Sequence, residues 1–156
     1  MKDVFGVAIL DYQQGNYTED LVTSTSISEN DTLPLPYLFR AFSEMPSLEQ
    51  TALKLSKGHV LDIGCGAGSH SIHLISKGLK VKSIDISEGA IKACQLRGLK
   101  SAYVLDVMDE TASFDTLLLL MNGSGIFQSL AHTPLVLNHL KTLLNPKGQI
   151  LIDSSV

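Results

Sequence analysis

The sequence predicts a doubly wound, mostly parallel α/β sheet, and three observations carry that prediction. From His59 onward, short apolar runs alternate with amphipathic stretches closed by glycine, the sequence form of repeated βαβ units. The first run passes directly through Asp62-Ile63-Gly64-Cys65-Gly66-Ala67-Gly68 into a helical stretch. Further on, Leu117-Leu118-Leu119-Leu120 is unbroken, as expected of a strand buried on both faces.

The elements follow in order. Residues 11–35 are rich in Ser, Thr, Asn and Asp with little periodicity and read as an irregular arm whose only aromatic side chains are Tyr12 and Tyr17. Pro34 and Pro36 introduce a short helix through Tyr37, Leu38, Phe39 and Phe42. Ser47 with Gln50 has the capping-box pattern for a second helix ending near Gly58. Residues 1–58 are thus an arm and cap beside a core of residues 59–156. In that core, Val60 to Ile63 is the first strand, 68–77 a helix ended by Gly78, and Leu79 to Ile84 the second strand. Ser87 is placed to cap the next helix, which Gly98 ends. Ala102 to Leu105 and Phe114 to Met121 are the third and fourth strands. Thr133 and Pro134 suit the N-cap and first position of a helix running to about Leu144. Asn145-Pro146-Lys147-Gly148 is a turn, and Gln149 to Ile152 the fifth strand.

Composition narrows the function classes. A chain of 156 residues, 44% apolar, builds one compact domain. Its net charge of -4 gives no basic excess for a nucleic-acid backbone, so nucleic acid is not favoured as a partner. The apolar run Val4 to Leu10 is too short to span a bilayer and lacks a basic leader or cleavage site, so no membrane partner and a cytoplasmic location are expected. Cys65 and Cys94 are too few for a disulfide scaffold and read as reduced thiols. His70 and His73, three apart, share a helix face, but without a third nearby ligand no metal is expected.

The glycine turn carries the chemistry. Glycines let the backbone turn sharply and a ligand approach closely, and the free N–H groups of the following helix receive an anion such as a phosphate or a carboxylate. A dinucleotide fingerprint needs a third glycine where this chain has Ser69, which disfavours a nicotinamide-dependent oxidoreductase. Asp85, at the end of the second strand, is placed to accept from ribose hydroxyls. Asp106, at the end of the third, lies where an adenine amine would donate, with Ile86 and Val107 flanking the ring.

Together VLDIGCGAGSHS, SIDIS, VLDVMD and LNPKGQILI resemble motif I, the second-strand acid, the third-strand acid and the turn before the fifth strand of class I S-adenosylmethionine-dependent methyltransferases. The resemblance covers about residues 59–154 and implies a Rossmann-like core binding S-adenosyl-L-methionine. It implies that Asp62, Gly64, Gly66 and Gly68, with Cys65 between them, hold the methionine part, Asp85 the ribose and Asp106 the adenine. Amino-methylating DNA and protein members usually carry an Asn/Asp-Pro-Pro-aromatic segment after the fourth strand. Here Met121-Asn122-Gly123-Ser124-Gly125 stands instead, so a small-molecule methyl acceptor is expected. The family fold normally continues past the fifth strand, so the chain is expected to be C-terminally truncated, weakly active, and prone to self-association through that strand.

In-line methyl transfer needs mainly position, and no residue declares itself as a general base. Asn122 either orients the acceptor or only forms a turn with Gly123. Arg40 either grips a substrate carboxylate or is a solvated charge, and Tyr12, Tyr17 and Tyr37 are candidates to close the pocket from the cap. A non-catalytic cofactor-binding module is the alternative function.

Overall fold

The computed structural model describes residues 2–24, 26 and 29–154. In chain order the elements are α1 (Val4–Gln13), β1 (Leu21–Thr23), β2 (Asp31–Leu33), α2 (Leu35–Leu38), α3 (Ser47–Leu55), β3 (His59–Ile63), α4 (Ser69–Ser76), β4 (Lys80–Asp85), α5 (Glu88–Leu96), β5 (Ala102–Val104), β6 (Phe114–Leu119), α6 (Thr133–Thr142) and β7 (Leu144–Ile152). The last five strands form one sheet in the order β5-β4-β3-β6-β7, and every pairing in it is parallel. Strand order therefore reverses between β3 and β6, and the crevice at that reversal is where such sheets receive ligands.

Alternation along the central strands builds a core on each face. Leu61, Ile63, Leu117 and Leu119 pack with Val136, Leu140 and Leu143 around α6. Val60, Val81, Leu118 and Leu120 pack on the other face with Leu53 of α3 and Leu74 of α4. Leu117 and Leu118 are both fully buried, as the unbroken leucine run required. Ser87 caps α5 as expected, its Oγ accepting from Ala90 N at 3.0 Å.

The N-terminal part is more ordered than its composition suggested. The arm contains a hairpin, β1 antiparallel to β2, and the Val4–Leu10 run belongs to helix α1. Long-range contacts make the difference. Asp3 accepts from Gly6 N at 2.8 Å at the start of α1, and from Ser87 Oγ at 2.8 Å and Gly89 N at 3.1 Å at the start of α5. One carboxylate thus joins two helix N-termini, where the helix dipoles favour it. Burial opposes that charge, but the three hydrogen bonds outweigh it and hold the Asp3 carboxyl below its ordinary pKa. Tyr12 packs against Tyr17 and Phe39, with ring centroids 5.2 and 4.5 Å away. These aromatics fill the cap and do not close a pocket.

Three cap and turn expectations are corrected. Ser47 is the first residue inside α3, whose N-cap is Pro46, and the Gln50 amide donates to Met45 O, so the capping box does not form. His132, and not Thr133, is the N-cap of α6, because Thr133 Oγ1 is turned back to donate to Ser129 O. Asn145-Pro146-Lys147-Gly148 is absorbed into β7 as an irregularity: Lys147 has φ +64°, and the register against β6 shifts between Phe114 and Thr116. An extra residue in one strand leaves this signature, and in sequence it resembles a turn.

The docking of α1 yields a test. A Cβ on Gly89 would stand 2.3 Å from the Gly6 carbonyl carbon, so Gly89→Ala forces the helices apart. The expected cost is roughly 1–3 kcal/mol, read as a lower urea midpoint with faster amide exchange confined to α1 and the start of α5. Unchanged exchange in α1 would show that this crossing does not hold the helix.

Candidate active site

The turn after β3 is shaped by its ties to β4. Gly64 N and Cys65 N both donate to Ile84 O, at 2.9 and 3.0 Å, and Gly66 N donates to Asp85 Oδ2 at 2.9 Å. The other carboxylate oxygen of Asp85 accepts from Ser87 N at 2.9 Å. Gly64 and Gly66 sit at φ +70° and +53°, where an L side chain is strained.

Asp62 and Gly68 stand behind this turn. Asp62 is buried and accepts from Ser71 Oγ at 2.6 Å, which is in turn 2.6 Å from Ser83 Oγ, so it braces β3, α4 and β4 together. Burial, aided by the Asp85 charge, pushes its carboxyl above the ordinary range despite His70 and the Ser71 bond. A Cβ on Gly68 would lie 2.5 Å from Leu99 Cδ1 and 2.9 Å from Cys94 Sγ, so this glycine permits close packing of α4 on α5. Neither residue lines a cavity described below.

Two cavities open around the turn. The larger, about 580 Å³, is lined by Gly64, Asp85, Ile86, Asp106, Val107 and Asn122 among others, which brings together half of the sequence-predicted set. Ile86 is 75% exposed at the rim, an apolar side chain without protein cover. Asp106 also caps the turn that follows β5, accepting from Met108 N at 2.9 Å. The smaller cavity, about 220 Å³, is lined by Arg40, Cys65, Gly66 and Ala67 with Phe5 and His70. Both contain Gly64, Leu120 and Met121, so they meet at the end of β3 and β6. Cys65 lies buried with its Sγ 3.9 Å from that of Cys94; this contact, and then burial, push its thiol well above the usual range.

Arg40 is not a solvated charge. It is 6% exposed, forms an ion pair through Nη2 with Glu49 Oε2, and donates from Nη1 to Tyr37 O at 2.6 Å. Tyr37 lines neither cavity; its ring lies under the guanidinium at 3.9 Å. Arg40 Nε is buried without a hydrogen-bond partner. His70 Nε2 lies 2.7 Å from the same Glu49 oxygen, while His73 stacks on Phe42 with centroids 4.1 Å apart, so the two histidines serve different neighbours. Glu49 was not singled out from sequence. Its signal is a carboxylate four residues before the buried Leu53, on the inward face of α3.

A glycine turn and two strand-end acids, set at the point where a parallel sheet reverses its order, define an α/β protein built for a nucleoside-containing ligand. Residues 54–156 match the methyltransferase domain family. The chain belongs to that family, the class I S-adenosylmethionine-dependent methyltransferases. It is similar to a SAM-dependent methyltransferase from Bacteroides fragilis solved with S-adenosyl-L-homocysteine: 42% identity over 99% of this chain and 65% of that one, TM-score 0.94. It is also 27% identical over 116 residues to a ubiquinone biosynthesis O-methyltransferase of Xanthomonas euvesicatoria, covering 67% of this chain and 46% of the relative. A sugar N-methyltransferase from Streptoalloteichus shares the fold, with TM-score 0.61 and 19% identity over 88% of this chain and 60% of that one. The chain thus spans less than half of the curated relative's length.

The buried charge cluster makes stability depend on pH. Burial opposes ionisation of Glu49, but the His70 hydrogen bond, the His70 charge and the Arg40 pair outweigh it, so its carboxyl titrates below its ordinary 4.5. A carboxyl with a depressed folded pKa contributes stability that is complete above the unfolded value and is lost as pH falls through the folded one. Urea midpoints measured from pH 7 to pH 3 should therefore fall more steeply for the parent than for Glu49→Gln. Parallel profiles would show that the carboxylate is not held by these partners.

Proposed function

We propose that the chain binds S-adenosyl-L-methionine across both cavities and directs its methyl group to a small-molecule acceptor. The observation that carries this is the junction of the two cavities at Gly64, Leu120 and Met121. An elongated ligand with a nucleoside at one end and an amino acid at the other fits that layout. Asp85 takes the ribose, and Asp106 accepts from the adenine amine between Ile86 and Val107. The amino-acid end lies against Gly66 and Arg40, whose charge suits a carboxylate. Arg40 is thereby assigned to the cofactor, where the sequence alone suggested an acceptor carboxylate. That the Bacteroides fragilis relative was solved with S-adenosyl-L-homocysteine supports the same ligand.

When bound, the cofactor supplies an electrophilic methyl group on a sulfonium. The chain's contribution is alignment and exclusion of water. Beyond the cofactor's share, the larger cavity is walled by Asn122, Ile126, Phe127, Gln128, His132 and Leu135, with neither lysine nor arginine. That lining supports an uncharged small acceptor, with Asn122 to orient it, and so do the small-molecule pathways named for the relatives.

The same proposal takes residues 1–58 as a cap on the 59–156 core, and a cytoplasmic location. Two cysteines, too few for a disulfide scaffold, support that location, and among the described residues no helix is long and apolar enough to cross a membrane. It also takes β7, the edge of the sheet, as a surface for self-association, since an open edge with Ile152 at 41% exposure offers unpaired backbone groups to a second copy.

Calorimetric titration tests the cofactor assignment. S-adenosyl-L-homocysteine should bind and NAD should not, and Asp85→Ala should weaken binding by roughly 1–3 kcal/mol, or about fivefold to 150-fold. Asp85→Ala binding as tightly as the parent would remove the ribose assignment. Gly66→Val should abolish binding while circular dichroism still reports a folded sheet, because a β-branched residue does not tolerate φ +53°. For the edge, light scattering should show a mass that grows with concentration and returns to the monomer when Ile150→Lys is introduced; a parent that stays monomeric at high concentration refutes self-association.

A further inference from the structure

We infer that Glu49 is a positioning residue for the cofactor's amino-acid end: it fixes the guanidinium of Arg40 beside the glycine turn, and His70 fixes Glu49. The inference rests on Arg40 as the carboxylate grip and goes beyond it to what makes that grip selective.

An arginine side chain has four rotatable bonds, and ordering it costs about 2 kcal/mol when it is left to wander. Here each degree of freedom is taken up. Nη2 is paired with Glu49, Nη1 is bonded to Tyr37 O at 2.6 Å, and the plane rests on the Tyr37 ring at 3.9 Å. The further contact of Nη1 is the Met121 Sδ at 3.9 Å, a weak acceptor that a carboxylate outcompetes. Glu49 is itself 5% exposed and braced by His70 Nε2 at 2.7 Å, and His70 stands in the first turn of α4, directly after the glycine turn. The brace therefore runs from α3 through Arg40 to the wall of the smaller cavity and back to the turn on which the ligand lies. Neutralising Glu49 leaves the guanidinium charged but free to swing away.

The readout separates positioning from simple support of the fold. 5′-Methylthioadenosine carries the same nucleoside and sulfur as S-adenosyl-L-homocysteine without the amino-acid carboxylate. With the 156-residue chain, the parent should bind S-adenosyl-L-homocysteine much more tightly than 5′-methylthioadenosine. Glu49→Gln should narrow that gap at least tenfold, by weakening the first and leaving the second unchanged. Arg40→Lys should narrow it as well. A parent that does not discriminate between the two ligands overturns the carboxylate grip itself. A parent that discriminates, with Arg40→Lys narrowing the gap and Glu49→Gln keeping it, overturns the role of Glu49 alone. Parallel weakening of both ligands by Glu49→Gln would show a merely structural residue and also refutes the inference. Should Glu49→Gln fail to fold, Glu49→Asp, which keeps the charge but withdraws it by one methylene, is read in the same way.

Discussion

The constraint on which the site depends is the attachment of the glycine turn to the end of β4. Three backbone N–H groups of the turn are taken up there, those of Gly64 and Cys65 by Ile84 O and that of Gly66 by the Asp85 carboxylate. Backbone donors left inward-facing and unpaired would each cost about 1–3 kcal/mol, so the turn has little freedom to take another shape. Asp85 thus holds the turn in shape through Gly66 N and at the same time lines the larger cavity, the position from which we propose it meets the ribose. Because its other oxygen accepts from Ser87 N, and Ser87 Oγ donates to Asp3, the same chain of bonds reaches helix α1. The position of the N-terminal helix and the shape of the glycine turn are therefore linked through two carboxylates, Asp85 and Asp3, with Ser87 between them.

The cap contributes chemistry as well as cover. Phe5 and Arg40 come from the N-terminal part, yet they line the same cavity as Gly66. Arg97, near the end of α5, donates to Ala67 O at 2.6 Å and lies over the Phe39 ring at 4.8 Å, joining turn and cap from the opposite side. Burying the Arg40 charge is tolerable only because Glu49 neutralises it, and Glu49 is tolerable only with its own partners. The N-terminal part and α4 accordingly meet around shared buried charges, Arg40, Glu49 and His70.

The core was legible in the sequence because its signals are local. Strand-turn-helix at Asp62 to Gly68, acids at strand ends, and the leucine run of β6 each state their structure within a few residues. Asp85, Ile86, Asp106 and Val107 converge on one cavity because every parallel strand delivers its carboxyl end to the same edge of the sheet. What was not legible depends on distant partners. The β1 and β2 segments are three residues each, too short to show an alternating pattern, and they become strands by pairing with each other. Helix α1 carries apolar side chains on its exposed side as well, Val4, Phe5 and Val7 among them, while Ile9 is buried, and this hides the helical period. Arg40 and Glu49 look like surface charges until the fold sets them against each other. Asp62 and Gly68 were read as ligand contacts because they belong to the motif, and the structure gives them packing and bracing tasks one layer behind it.

One wall of the larger cavity is held by strain. Met121, Asn122 and Gln128 all have φ near +60° without being glycine, and they flank a loop that lines that cavity. Such residues cost of order 1–3 kcal/mol each and persist only where the surroundings fix them. Here Asp153, just after β7, does so: its carboxylate accepts from Met121 N at 3.0 Å and Gly123 N at 2.9 Å, its carbonyl from Ser124 N at 3.2 Å, and its own N–H donates to Leu119 O at 3.2 Å. A Cβ on Gly123 would lie 2.6 Å from Leu119 Cβ, so the loop also cannot lift without breaking its packing on β6. The glycine turn is thus held by β4, through Ile84 O and the Asp85 carboxylate, while the loop on the opposite wall of the larger cavity is held by Asp153 after β7, so the two walls are fixed by separate sets of bonds and one can change without the other.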